Sequence, residues 1–419
     1  DLYNGLPDNV RELVDACAKA ATQYGNDRAD ESIAEYKKTC EDAGCQIITL
    51  DDSVLAELRD KAQVVYDMVR EDLGNEIVDK LLAAVDTVRE TVVDEATLGD
   101  EITAVDPANI DGEYHWTAAM TVADTSINYM MVDKFAELIN EKSGGKISVD
   151  IYPGGQLGNT TEFTEAVIGG SIDIGTGMST DLVDFIPQFA VFDMPNLFDN
   201  TAQMRSVLRG DFVNVMNKYC NAGGIQMLGY SDAGFRVLTT NKETHSLADL
   251  KGQKIRVMTN KYHIAYWNAV GAAATPMQFT EVFMGLQQGT IDGQENPYMN
   301  IVGNNVQEVQ KYVVETNHLG HIITFYMNKD LYGSLPENVK TLVDECAAAA
   351  TKYGNSKADE SIKGYKKTCE DAGCQIITLD DSVLAELREK AEPVYEMVRE
   401  DLGDEIVNQL FDAINAAKQ

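Results

Sequence analysis

Two arginines stand in apolar frames where a charge needs a partner. Arg256 lies in KIRVMT, and Arg236 follows Gly234 and Phe235 and precedes Val237 and Leu238. A planar guanidinium can give two parallel hydrogen bonds to one carboxylate and stays charged when water is removed. Pointing into a dry core, such a group needs an internal acid; emerging at a strand end, it can meet an anionic ligand. Arg256 is therefore either a carboxylate clamp or half of an internal salt bridge to one of the many acids, whereas Arg236 either assists at the ligand or bridges between lobes. Asn296, between Glu295 and Pro297, either supports a turn or contacts a ligand. Phe279 is either a core aromatic or a ligand-facing one.

Other chemistries find little support. His318 and His321 are three apart and would meet on a helix, but no third ligand lies nearby, so no metal site is expected. The sequence has no HExxH, no GxSxG elbow and no local motif setting a Cys beside a His. Acidic pairs such as Asp292/Glu295 are too common among 68 acids to mark acid–base work. We expect neither an enzyme nor a cofactor. Gly154, Gly155 and Gly158 in PGGQLG lack the Lys-Ser/Thr of a P-loop and the GxGxxG spacing, so they shape a tight loop; Gln156 and Glu162 beside it are candidates for a cleft.

The elements that must position these residues follow from composition and pattern. The chain has 419 residues, 44% hydrophobic, enough for two or three domains with large cores. Asp and Glu outnumber Lys and Arg by 68 to 34, for a formal charge of -34, which argues against nucleic acid as a partner. An anionic ligand would need a few local cations to hold it. No run of roughly 18 apolar residues appears, so no membrane span is expected. The sequence opens at Asp1 without an initiator Met, basic leader or apolar signal core, so we expect a mature, trimmed or fragmentary product.

Residues 1–90 repeat residues 330–419 at 63 of 90 positions, an offset of 329 that only duplication explains. Each copy has helical apolar stripes, Leu13, Val14, Cys17 and Ala21 matching Leu342, Val343, Cys346 and Ala350. Pro7 and Pro336 precede these helices. A short QIITL strand follows, then a helix after LDDS, where Asp381 or Ser382 could cap its start, and a last helix. Both copies contain KKTCEDAGCQIITLDDSVLAELR. There Gly44 and Gly373 can end a helix, and a disulfide Cys40–Cys45 or Cys369–Cys374 forms if the Cα atoms approach; two separate thiols are the alternative. Cys17 and Cys346 fit a core.

Residues 91–112, with mixed small, acidic and Gly/Pro positions, read as a linker. From Tyr114 strand-like and helical pieces alternate: HWTAAMTV, SINYMMVDKFAELINEKSGG, KISVDIYPG, TEFTEAVIGGSIDIGTGM. A second such unit runs from GGIQMLGYSDAGFRVLTTN to EVFMGLQQGTIDGQE. That order implies a mainly parallel sheet covered by helices, and two α/β lobes with a ligand in the cleft between them are one arrangement that fits it.

The strings FAELINEKSGGKISVDIYPGGQLG, LADLKGQKIRVMT, GAAATPMQFTEVFMGLQQGTIDGQENP and EVQKYVVETNH, in that order over about residues 113–419, resemble the solute-binding subunits of tripartite ATP-independent periplasmic (TRAP) transporters, of the dicarboxylate-binding-protein type. The resemblance implies a two-lobed periplasmic-binding-protein-like α/β fold with a central cleft, preceded here by a mainly helical duplicate. Its divisions would be 1–90 duplicate, 91–112 linker, 113–236 lobe I, 237–325 lobe II, and 326–419 hinge and bracing helices. Hinges would fall near Arg236–Asn241 and Tyr326–Asp330. It implies extracytoplasmic capture of a small organic carboxylate and delivery to an ion-gradient-driven TRAP permease. Arg256 would clamp the carboxylate and Arg236 assist, with Asn296 a polar contact and Phe279 packing on the ligand. Lobe I would contribute around Thr121–Thr125 and Thr176–Ser179, while Trp116, Tyr262, His263, Trp267, Tyr298 and His318 either tune selectivity or pack. The duplicate would form a compact helical appendage, dock on its own chain, or swap into a neighbouring molecule, the last giving self-association through residues 1–90. A surface structural or interaction protein built from binding-protein parts is the alternative.

Overall fold

A computed structural model of the chain describes residues 98–417. Residues 1–90, the duplicate expected to be mainly helical, with Cys40 and Cys45, lie outside the described residues. Residues 98–112, expected as linker, pack on the first lobe. Ile102 and Ile110 are buried in one cluster with Leu138, and the Val105 amide donates to Lys142 O at 2.9 Å.

In lobe I, β1 (Tyr114–Ala119) pairs in parallel with β2 (Ile147–Tyr152) and β3 (Ile174–Met178). Between β1 and β2 runs α1 (Ile127–Lys142), started by Ser126, whose hydroxyl accepts from the Tyr129 amide. Its buried residues Ile127, Met131, Phe135, Leu138 and Ile139 recur at helical spacing and face the sheet. Helix α2 (Thr160–Ile168) begins at a capping box made by Asn159 and Glu162. Two further helices, α3 (Thr201–Arg209) and α4 (Phe212–Ala222), lead into β4 (Ile225–Thr240).

Lobe II holds α5 (Leu247–Leu250), β5 (Lys254–Val257), α6 (Lys261–Val270), β6 (Ala273–Pro276), α7 (Val282–Gln287), β7 (Gly293–Asn296) and α8 (Tyr298–Gly303). Strand β5 is parallel to β6 and β7. The lobes share one nine-stranded sheet because β4 and the 17-residue β8 (Tyr312–Asn328) run antiparallel through both. The strand order is β2-β1-β3-β8-β4-β7-β5-β6, with β9 (Gln375–Thr378) parallel to β8.

The crossing is where β4 slips register against β8, between Asp232 and Phe235 and again between Arg236 and Leu238. Gly234 there has φ +74°, a left-handed conformation that favours glycine. The first crossing thus lies at and just before the expected Arg236–Asn241. On β8, Ile323 to Met327 already pair with β3 of lobe I. The expected boundary at 325/326 therefore falls inside a lobe I strand, and the passage between lobes precedes it.

After α9 (Lys329–Ser334), α10 (Glu337–Asp371) runs unbroken for 35 residues, about 52 Å at 1.5 Å per residue. Its first half buries Leu342, Val343, Cys346 and Ala350 in the lobe I cluster with Met131 and Phe135. Cys369, near its end, joins the lobe II cluster of Val282, Tyr298 and Val313. Arg205 of α3 pins this brace to the crossing, donating to Asp232 at 2.6 Å and to Asp359 at 2.7 and 2.9 Å. Helices α11 (Asp381–Glu389), α12 (Glu392–Leu402) and α13 (Asp404–Ala416) complete the segment. The residue preceding α11 is Asp380, without a side-chain capping bond, in place of the expected Asp381 or Ser382.

The expected Cys369–Cys374 disulfide is corrected: both are free, buried thiols. The helix does turn at Gly373, φ +93°, and the Cys374 amide donates to Cys369 O at 2.9 Å. The Cys374 thiol, however, donates to the carbonyls of Gln310 and Gln307 at 3.2 and 3.4 Å. Burial pushes the Cys369 thiol up to about 12, far from the thiolate that disulfide chemistry needs.

Candidate functional site

Strand ends build the site. In each lobe, side chains just past the carboxyl ends of parallel strands project into the space where the lobes meet, the usual ligand position in open α/β sheets. Lobe I gives Thr121 and Val122 after β1, and Thr176, Gly177 and Met178 from β3. The single 3₁₀ turn Ser179–Leu182 adds Asp181, and Asn128 and Thr160 come from the starts of α1 and α2. Lobe II gives Arg256 of β5 with Met258 after it, Phe279 after β6, Asn296 ending β7 and Asn300 of α8. Arg236 and His321 reach in from the crossing strands. Together they line a cavity whose empty volume, its opening to solvent included, is about 480 Å³. A second chamber of about 600 Å³ shares Thr160, Asp181, Arg256, Met258 and Phe279 and extends to Thr161, Thr180, Asp184, Thr259 and Gln278.

The two arginines differ in what satisfies them. Arg236, 1% exposed, binds Glu295 in a fork: Nε donates to Oε2 at 2.5 Å and Nη2 to Oε1 at 2.9 Å, with Nη2 also reaching Glu295 O. Its Nη1 donates to His321 Nδ1 at 2.9 Å. His318 adds a 3.0 Å contact to Glu295 Oε2. Burial alone would raise the Glu295 carboxyl, but the Arg236 charge and the His318 contact outweigh it and hold it far below the carboxylate range. Burial also keeps His318 and His321 below the ordinary imidazole value.

Arg256, 3% exposed, has no carboxylate partner among the described residues. Its Nε and Nη2 share one carbonyl, Met277 O, at 2.9 and 2.6 Å, and its guanidinium stands 5.7 Å from the centre of the Phe279 ring. Burial lowers it to about 10, with Glu295 opposing and Arg236 adding to the shift, so it keeps its charge at neutral pH. Nη1 is left without a hydrogen-bond partner among the described residues. Opposite, Asp181 accepts from the Met178 amide at 2.8 Å. Burial raises its carboxyl to about 6 against the pull of that amide and of Arg236.

All four expected site residues line one cavity. Arg236 is held in an internal ion pair with Glu295, while the internal salt bridge weighed for Arg256 finds no carboxylate among the described residues. Asn296 has its amide engaged on both sides, donating to Gln294 Oε1 at 2.6 Å and accepting from Asn300 at 3.2 Å. The lobe I stretch expected at Thr176–Ser179 stopped two residues short of Asp181. Continuing one turn past the strand would have included it. Asn128 and Asn300 carry no sequence signal, since helix starts look like packing, and the spacing of His321 from His318 points to a metal pair and not to this cavity. His318 and His321 lie on strand β8 and not on a helix, and serve Glu295 and Arg236.

Trp267 and His318 pack on each other at 5.1 Å, and Tyr266 stacks on His318. Trp116, Tyr262, His263, Tyr298, Gln156 and Glu162 are likewise outside the two chambers. PGGQLG forms the expected tight loop, with Gly154, Gly155 and Gly158 at φ +65°, +73° and +111°.

The model for bacterial extracellular solute-binding proteins, family 7, matches residues 1–72 and 118–401. A C4-dicarboxylate-binding periplasmic protein of Rhodobacter capsulatus is 31% identical over 290 residues, 68% of this chain and 85% of that protein. The crystal structure of a sugar acid binding protein from Advenella mimigardefordensis, in complex with galactonate, is similar with TM-score 0.71 and 29% identity, over 73% of this chain and 100% of that one. A TRAP periplasmic solute binding protein from Shewanella oneidensis with bound succinate aligns with TM-score 0.69 and 25% identity, over 74% of this chain and 100% of that one.

Proposed function

Because this chain belongs to family 7 of the bacterial extracellular solute-binding proteins, we propose that it captures a small organic carboxylate outside the cytoplasm and delivers it to an ion-gradient-driven TRAP permease. The observation that carries this reading is Arg256, a buried guanidinium at the cleft whose charge no carboxylate among the described residues answers. A buried cation without a counter-ion is costly. A ligand carboxylate on the Nη1 side removes that cost and gains charge-assisted hydrogen bonds. Phe279 bounds the same edge by its ring. Asn296 is held in orientation by Gln294 and Asn300 and contacts the ligand's polar groups. Arg236, already paired, assists by its field and by fixing Glu295.

Binding across the two lobes favours the closed arrangement over the open one, which presents the loaded form to the permease. Among the described residues no helix is long and apolar enough to cross a membrane. The galactonate and succinate complexes of the similar structures support the carboxylate class. The comparisons lend nothing to a surface structural role. Self-association through residues 1–90 rests on their identity to 330–419 alone.

Calorimetric titration with carboxylic acids tests the reading. Arg256→Lys keeps the charge and loses the fork, so affinity falls at least about tenfold, roughly 1.4 kcal/mol. Unchanged affinity defeats the assignment of Arg256.

A further inference from the structure

The lobe I wall of the cavity is lined by acceptors. Asp181 borders both chambers. One of its oxygens takes the Met178 amide, and the other has no hydrogen-bond partner among the described residues. On the same wall Asn128, 2% exposed, donates from Nδ2 to Thr176 at 3.0 Å, while its Oδ1 is buried and unpartnered. A carboxylate has no proton to offer such groups, whereas a hydroxyl does. The charges agree. With Arg236 neutralised by Glu295, the cavity faces a ligand with one open cation, Arg256, and one anion, Asp181. A single carboxylate balances Arg256. A second would stand near the ionised Asp181 in a low-dielectric space, where like charges repel strongly.

We propose that Asp181 is a specificity-determining residue: it accepts a hydrogen bond from a ligand hydroxyl while Arg256 holds the ligand carboxylate, so the cleft takes a hydroxylated monocarboxylate and disfavours a second carboxylate. This rests on carboxylate capture at Arg256. Asn128 takes a second hydroxyl. A ligand lacking hydroxyls leaves both acceptors dry and unpaired, the situation in which polar sites discriminate most sharply. A dicarboxylate enters only with a proton on Asp181. The charged and titratable groups around Asp181 include Arg236 on β4, Arg256 on β5, Asp193 at the end of the 3₁₀ segment Pro187–Asp193, and Asp184, which lines the second chamber with it. His321 on β8 lines the same cavity and is kept neutral by burial. The raised value of Asp181, about 6, puts its proton within reach of mild acid.

The test is calorimetric titration of the full chain with hydroxylated monocarboxylates, galactonate and glucuronate, and with succinate. At pH 8 the better of the two hydroxylated acids should bind at least about tenfold tighter than succinate. Asp181→Asn should weaken it by about tenfold and strengthen succinate. The wild-type chain supplies an arm that needs no variant. Between pH 8 and 7 succinate should tighten by about tenfold as Asp181 gains its proton, while the hydroxylated acid changes little. Succinate binding as tightly as the hydroxylated acids at pH 8, a selectivity unmoved by Asp181→Asn, or a pH-independent succinate affinity each overturns the role of Asp181 and leaves carboxylate capture standing. Binding of none of the acids overturns both.

Discussion

Two arginines about one cleft meet opposite fates. Arg236 sits on the crossing strand β4, with Glu295 from β7 and His321 from β8 closing around it. Arg256 sits on the short β5 and, among the described residues, has the Met277 carbonyl and the face of Phe279. Both are almost wholly buried. The difference shows that a buried charge can be structural or functional according to whether the fold supplies its counter-ion. Where three strands converge, the chain completes the ion pair itself. Where a strand ends at the cleft, the pair is left for a ligand to complete.

The comparison breaks first at Glu295. Glu295→Gln leaves Arg236 buried beside a neutral amide and should cost about 3–5 kcal/mol, read from denaturant melts. Because the Glu295 carboxyl lies far below its ordinary 4.5 in the folded chain, its contribution is full above about pH 4.5. It is lost as the pH falls further toward the folded value, and the variant should lack that acid-side loss. Glu295→Gln melting like wild type at pH 7 would erase the distinction between the two sites.

Arg256→Met should do the reverse. It removes an unanswered charge, so the unliganded protein should melt at the same temperature or higher, while ligand affinity falls by about a hundredfold, near 2.7 kcal/mol. A strongly destabilised unliganded Arg256→Met protein would mean that the arginine is structural after all. Asp181 sharpens the contrast from the other wall. Its folded value near 6, against an ordinary 3.8, means that its ionised form opposes folding. The penalty is absent below about 3.8 and complete above 6. Asp181→Asn should therefore stabilise the unliganded protein at pH 8 by on the order of 1 kcal/mol and not at pH 3.5, as thermal melts at the two pH values would show. Phe279→Leu comes last. It keeps apolar bulk but removes the ring facing the guanidinium and the ligand, and should weaken ligand binding by about 0.5–1 kcal/mol in titrations.

Much of the fold was legible because local rules and tertiary structure agree. The stripe Ile127, Met131, Phe135 and Leu138 reads as a helix from spacing and is one. KIRV, QIIT and the Gly373 turn also fall where pattern puts them. The misses share a cause, in that each depended on a distant partner. Residues 98–112 look like linker until Leu138 covers Ile102. Cys369 and Cys374 look like a bridge until the carbonyls of Gln307 and Gln310 capture one thiol.

By itself the sequence determined that Arg236 and Arg256 are guanidiniums in apolar frames, that strands and helices alternate, and that residues 1–90 repeat 330–419 at 63 of 90 positions. Those facts follow from residue type and spacing. Only the tertiary structure decided which arginine is neutralised, because Glu295 is 59 residues from Arg236 and reaches it through the antiparallel β4–β7 pairing. Among the described residues no carboxylate pairs with Arg256, and Asp181, in the turn after β3 of lobe I, acts on it through its field across the cleft.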